Sequence, residues 1–90
     1  MQRYVIERDL PGAANLSPKE LKDIARTSNE VLRNMKDIQW EQSFVTGDRI
    51  YCVYLAANEQ LVRDHAQRGG FPCNTVTKVT SVIDPLTEFA

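Results

Sequence analysis

Apolar and polar positions alternate most regularly between Ile38 and Ala56, IQWEQSFVTGDRIYCVYLA. Two runs of period two, broken at Gly47-Asp48, predict strands Ile38–Val45 and Arg49–Ala56 joined by a tight turn. Gly followed by Asp fits a two-residue loop of the II′ kind, with positive φ at its first central residue. That loop pairs Thr46 with Arg49 and sets the register. Phe44 then faces Tyr51, Gln42 faces Val53 and Trp40 faces Leu55 on one side of the sheet, because side chains alternate. Val45 faces Ile50, Ser43 faces Cys52 and Glu41 faces Tyr54 on the other. The first side is nearly all apolar and is expected under helices. The second mixes a carboxylate, a hydroxyl, a thiol and a phenol with small apolar groups, which predicts a subunit interface or a pocket wall.

The flanking segments supply the cover. Arg3 to Arg8, RYVIER, reads as a short strand that stops at the turn residues Asp9-Leu10-Pro11-Gly12. Ser17-Pro18-Lys19-Glu20 is a helix start with a cap, a first-position proline and a capping-box glutamate. Leu21, Ile24, Ala25, Ser28, Val31, Leu32 and Met35 follow at helical spacing, so the helix runs to near Asn34. Asn58 caps a second helix, Glu59 to about Arg68, with Leu61, Val62, His65 and Ala66 on its inner stripe. Gly69-Gly70 ends it. Thr75 to Ile83, TVTKVTSVI, is rich in β-branched residues and predicts a last strand. Asp84-Pro85 stops it, with a tail that is loose or packed on a partner. The order strand, helix, strand, strand, helix, strand is the α+β ferredoxin-like plan. It has one antiparallel sheet in the order four, one, three, two, with two helices on one face.

Composition adds limits. Ninety residues suffice for a single domain, 1–90, and 42% hydrophobic with 26% charged residues is ordinary for a globular protein. A net charge of −1 favours neither nucleic acid nor an anionic membrane. No apolar run spans a bilayer, and MQRYVIERD carries charges where a signal peptide needs an apolar core. The expectation is a cytoplasmic protein with Cys52 and Cys73 reduced. The open sheet face predicts a homodimer, with Glu41, Ser43, Cys52 and Tyr54 in or beside the interface.

The plan also brings candidate chemistry together. The second helix returns toward the hairpin turn, where the first strand ends, so Glu7, Arg8, Tyr51, Cys52, His65 and the Gly69–Cys73 loop are expected at one end. Glu7, Cys52 and His65, with Cys73 nearby, combine carboxylate, imidazole and thiol, a set that suits nickel, zinc or copper better than magnesium or calcium. Glu41, Ser43, Tyr54 and Cys73 are candidates for a pocket. With Glu7 and His65, the pocket's carboxylates, imidazole and phenol would serve a small-molecule binding protein or an acid–base enzyme. The same residues have a plainer reading. A histidine on an inner stripe packs with one hydrogen bond, a strand cysteine is a small core residue, and Glu7 beside Arg8 is half of a surface ion pair. No CxxC, HxH or HExxH pattern is present.

Four segments carry a resemblance: RYVIERDLPG, the hairpin with its YCVY, His65-Ala66-Gln67-Arg68-Gly69-Gly70-Phe71-Pro72, and SVIDP. Together they resemble a family of small bacterial domains of largely undefined function, described as nickel-binding-protein-like after a nickel-binding ferredoxin-like homodimer. The resemblance implies the fold, a homodimer, and nickel or another divalent transition metal as cofactor. His65 is then the residue expected to matter most. The negative helix end and Glu7 favour its protonated ring, so metal affinity is expected to rise between about pH 6 and about pH 7.5.

Overall fold

The computed structural model describes residues 1–90. Strand β1 is Gln2–Asp9, helix α1 Pro18–Leu32, β2 Ile38–Val45, β3 Arg49–Ala56, α2 Glu59–Gly69 and β4 Thr75–Lys78. The sheet order is β2-β3-β1-β4 with every pair antiparallel, the ferredoxin-like plan with β1 and β3 central. Both helices begin as their caps dictate. Ser17 Oγ accepts from the Glu20 N–H and the Glu20 carboxylate accepts from the Ser17 N–H, each at 3.1 Å. Asn58 Oδ1 accepts from the Leu61 N–H at 3.0 Å. At the end of α2, Gly70 takes φ 70° and the Phe71 N–H returns to the Ala66 carbonyl at 2.9 Å. No helix is long and apolar enough to cross a membrane.

Four expectations about the sheet need correction. The turn between β2 and β3 is not of the II′ kind, since Gly47 does not have positive φ. The Thr46–Arg49 pair does form, with the Thr46 N–H donating to the Arg49 carbonyl at 2.8 Å. The turn's own groups are drawn sideways instead. The Asp48 carbonyl accepts from Leu10, the Gly47 carbonyl from Ala14, and Asp48 Oδ1 from the Gly12 N–H. These bonds to the β1–α1 connection orient the turn peptides.

The register holds from Val45 to Gln42 and then shifts. A bulge between Trp40 and Gln42 leaves Glu41 without a partner, so Trp40 lies opposite Tyr54 instead of Leu55. One extra residue turns the rest of β2 over, which puts Trp40 on the same face as Cys52. Glu41 is drawn outward by an ion pair of 2.8 Å with Arg3, and Trp40 Nε1 donates to Ser43 Oγ at 2.9 Å across the bulge.

The third correction is the choice of face. Ile50, Cys52, Tyr54 and Ala56 are buried under the helices with Tyr4, Ile6 and Arg8 of β1. Small residues such as Cys52 and Ala56 let the helices approach closely. Tyr51, Val53 and Leu55 face the open side, with Val5 and with Phe44, which is 52% exposed. Ser43, Cys52 and Tyr54 therefore do not lie on the open face. Finally, β4 stops at Lys78 and not at Ile83, because it runs off the beginning of β1: Lys78 pairs with Tyr4, and the Val79 N–H makes a last bond to the Arg3 carbonyl. The tail forms one 3-10 turn at Pro85–Phe89, with Ile83, Leu86 and Phe89 exposed.

The two glycine positions separate these turn geometries experimentally. A Cβ at Gly47 meets nothing within 4 Å and strains no left-handed backbone, so Gly47→Ala is expected to be neutral or to stabilise by up to about 1 kcal/mol. Gly70→Ala, equally unhindered but at φ +70°, is expected to cost about 1 kcal/mol. Urea denaturation measures both; a clear loss for Gly47→Ala would restore the II′ turn.

Candidate functional site

Alternation along β1 sends Tyr4, Ile6 and Arg8 inward, and Arg8 is only 4% exposed. Its guanidinium is held by four neighbours that are not carboxylates. Nε donates to Cys52 Sγ at 3.3 Å, Nη1 donates to the Pro72 carbonyl, the Phe71 ring centre lies 5.5 Å from Cζ, and Tyr54 borders it. Nη2 is buried and finds no protein acceptor. The ion pairs of the chain use Arg3, Lys19, Arg26, Arg49 and Arg63, none of them this residue. Burial works against the charge, but the Cys52 sulfur and the Tyr54 hydroxyl more than offset it, and the pKa of Arg8 lies above its ordinary value.

His65 closes the same cluster from α2 and is 0% exposed. Its Nε2 lies 3.1 Å from Ser28 Oγ on α1. Its ring sits 5.1 Å from that of Tyr54 and stacks on Phe71 at 5.6 Å. Phe71 reaches it by folding back over Gly69, where a Cβ would stand 2.3 Å from the ring. Burial first, and the Arg8 charge second, push the His65 pKa down to about 4. The imidazole is therefore neutral at physiological pH, the reverse of the protonated ring expected from the helix end, because it is buried and its charged neighbour is Arg8 and not Glu7. The affinity change expected between pH 6 and pH 7.5 loses its cause with it. Burial likewise raises the Tyr54 pKa, with Cys52 adding to it and Arg8 opposing.

A cleft of about 300 Å³ lies beside this cluster. Helix α1 packs against α2 and sends Leu32 onto the core, while between its first turns and the hairpin the helix-side face of β2 is incompletely covered. Leu21, Ile24 and Ala25 of α1 form one wall and Trp40, Val45 and Ile50 the other. Leu21 and Val45, 39% and 42% exposed, mark the mouth. Arg8, Cys52, Tyr54, Phe71 and Pro72 also line it, and Ser28 and Ser43 add hydroxyls. No aspartate, glutamate or histidine does.

The sequence candidates thus divide. Cys52, Ser43 and Tyr54 line the cleft. His65 lies behind it, against Tyr54 and Phe71. Cys73 packs against the core. Glu7 and Glu41 are on the open face, paired with Arg49 at 3.3 Å and Arg3 at 2.8 Å. Nowhere do three His, Cys, Asp or Glu side chains converge as metal ligands. The donors within one chain do not fit nickel: Glu7 is on the other side of the sheet, and a guanidinium occupies the Cys52 sulfur. The sequence put Arg8 at this end of the domain without marking it as a site residue, did not mark Trp40, and brought Phe71 here only as part of the Gly69–Cys73 loop. The Tyr4-Ile6-Arg8 alternation was the available signal for the first; the bulge concealed the second.

Comparison with known proteins agrees with this architecture. A family model described as nickel responsive protein, SCO4226-like, matches residues 4–79. Among solved structures, the crystal structure of SCO4226 from Streptomyces coelicolor A3(2) superposes with a TM-score of 0.77 at 14% identity, over 90% of this chain and 99% of that one. At this identity the likeness speaks for the fold. No curated protein sequence matches the chain.

The lowered His65 pKa fixes a pH dependence. Between the ordinary value near 6.5 and about 4 the unfolded chain binds the extra proton and the folded chain does not. This histidine's share of stability is therefore complete above pH 6.5 and is lost as the pH falls toward 4. Proton NMR of the single imidazole is expected to show a midpoint near pH 4; a midpoint at or above the ordinary value would place His65 in a solvated or acidic setting.

Proposed function

Because the chain belongs to the SCO4226-like family of nickel-responsive proteins, we propose that it is a binding protein whose ligand site is the cleft between α1 and the hairpin. One observation carries this reading. A cleft of about 300 Å³ with mainly apolar walls lies between α1 and the hairpin, and such a space is at the size where small-molecule sites begin. Its lining is poor in groups for general acid–base work: carboxylates and imidazole are absent from it, its one phenol is held above its ordinary pKa, and its one thiol, Cys52, is engaged by Arg8. Binding therefore fits the site better than catalysis. The alternative acid–base pocket of Glu7, Glu41, Tyr54 and His65 would need residues that lie on both sides of the sheet.

The family's description favours a second reading, a response to nickel. Since the donors of one chain do not converge, that reading puts the ion between two copies. The open sheet face is the proposed homodimer surface. It carries apolar Val5, Phe44, Tyr51, Val53 and Leu55, framed by the pairs Arg3–Glu41 and Arg49 with Glu7 and Asp9. Apolar area with charges of both signs is self-complementary under a two-fold axis. Two copies there would bring duplicate Glu7 and Asp9 carboxylates together, which a divalent ion accepts.

Two measurements separate the readings. Trp40 is the only tryptophan and lines the cleft, so its emission reports occupancy. Octanol or octanoate is expected to shift it, and Ala25→Phe, which fills the cleft from α1, is expected to abolish the shift while leaving the protein folded; no response to either compound at millimolar concentration would sink the cleft reading. For the second reading, tag-free protein dialysed against nickel is expected to retain one ion per two chains and to sediment as a dimer at micromolar concentration. A monomer without bound nickel would remove it.

A further inference from the structure

The Arg8 guanidinium has a chemical requirement that the protein leaves unmet. A buried charge needs an opposite charge or a full set of hydrogen bonds. Arg8 is 4% exposed, has no carboxylate partner, and keeps Nη2 without an acceptor. Its neighbours Cys52, Tyr54, Phe71 and Pro72 all line the cleft, as Arg8 itself does. We infer that the cleft takes a monocarboxylate with an apolar body, whose carboxylate pairs with Arg8 while its hydrocarbon lies between α1 and the hairpin. This rests on the cleft being a ligand site.

The surroundings choose among anions. Nε and Nη1 are already committed to Cys52 and Pro72, so only part of the guanidinium is free. Ser28 is engaged with His65, and Ser43 accepts from Trp40 Nε1, which leaves only its own O–H to donate. Few donors remain, which suits the two oxygens of a carboxylate. A phosphate would strand oxygens against apolar walls, at a cost that burial makes large. The apolar walls, Leu21, Ile24, Ala25, Trp40, Val45 and Ile50, exclude a small hydrophilic anion as the preferred occupant. The net charge of −1 argues against general anion attraction by the surface, so selectivity comes from this one buried group.

The test compares octanoate with octanol, followed by Trp40 emission and calorimetry. Octanoate is expected to bind at least about tenfold more tightly, the size of one charge-assisted hydrogen bond. Arg8→Met keeps the hydrocarbon stem and removes the charge. It is expected to stay folded, since methionine fills much of the same volume and removes a buried cation that has no carboxylate partner, and to bind the two compounds equally. Equal binding by the unsubstituted protein, or weaker binding of octanoate, overturns the carboxylate inference and leaves the cleft reading standing. Binding of neither compound overturns both. Should Arg8→Met fail to fold, the ratio in the unsubstituted protein decides alone. A preference for octanoate that persists in folded Arg8→Met also overturns the inference, because the charge would then reside elsewhere.

Discussion

A guanidinium buried without a carboxylate is the constraint on which this end of the molecule depends. Moving such a cation out of water costs several kcal/mol in a relaxed protein, and Arg8 recovers it in parts from a sulfur, a carbonyl, a phenol and an aromatic face. Each of those parts has its own structural condition. The Pro72 carbonyl and the Phe71 ring reach Arg8 only because α2 ends at Gly69-Gly70, where the chain turns left-handed and the ring folds back over a residue with no side chain. Cys52 is available because it is small and stands next to Ile6 on the neighbouring strand. Burial, with the same cation second, keeps His65 neutral, so the lone histidine serves as a packing element joined to Ser28 and the aromatic rings.

The cleft is the complement of that arrangement. Helix α2 packs on β3 and β4 and against α1, and the space between α1 and the hairpin leaves the outer strand short of cover. The bulge at Glu41 then decides what lines the gap. With a continuous register Trp40 would point to the open face; with one extra residue it turns inward opposite Tyr54. Arg3 stabilises the bulge by holding Glu41 on the other side at 2.8 Å. A single inserted residue therefore moves an indole into the cleft and a carboxylate out of it, giving an apolar space with one cationic wall.

The elements of this fold were legible because their signals are local. The Ser17 capping box, the Asn58 cap, the Gly70 terminator and the two hairpin strands all follow from residue types at short spacing. The inner face of the sheet was not, for two reasons. Counting apolar residues along the hairpin favours the side of Phe44, Tyr51 and Val53, yet close helix packing selects the side with small Cys52 and Ala56. A bulge, moreover, leaves no mark in period-two alternation. The strand β1 held the correcting information, since Tyr4 and Ile6 must lie inward and Arg8 follows them. The candidate site was half legible: Cys52, Ser43 and Tyr54 do line the cleft, whereas Glu7 was assigned by chain position without regard to the face it takes. His65 was placed at the right end of the domain but given the wrong charged neighbour.

In the proposed reading, Arg8 is an anchor for an anion inside an apolar cleft. A crystal structure of the protein grown with octanoate tests it most directly. A carboxylate oxygen is expected at about 2.8 Å from Nη2 of Arg8, with the hydrocarbon chain lying against Trp40, Ile50 and Ala25. Arg8 turned out to solvent, or α1 closed onto Ile50 and Tyr54 with no octanoate between them, would contradict it.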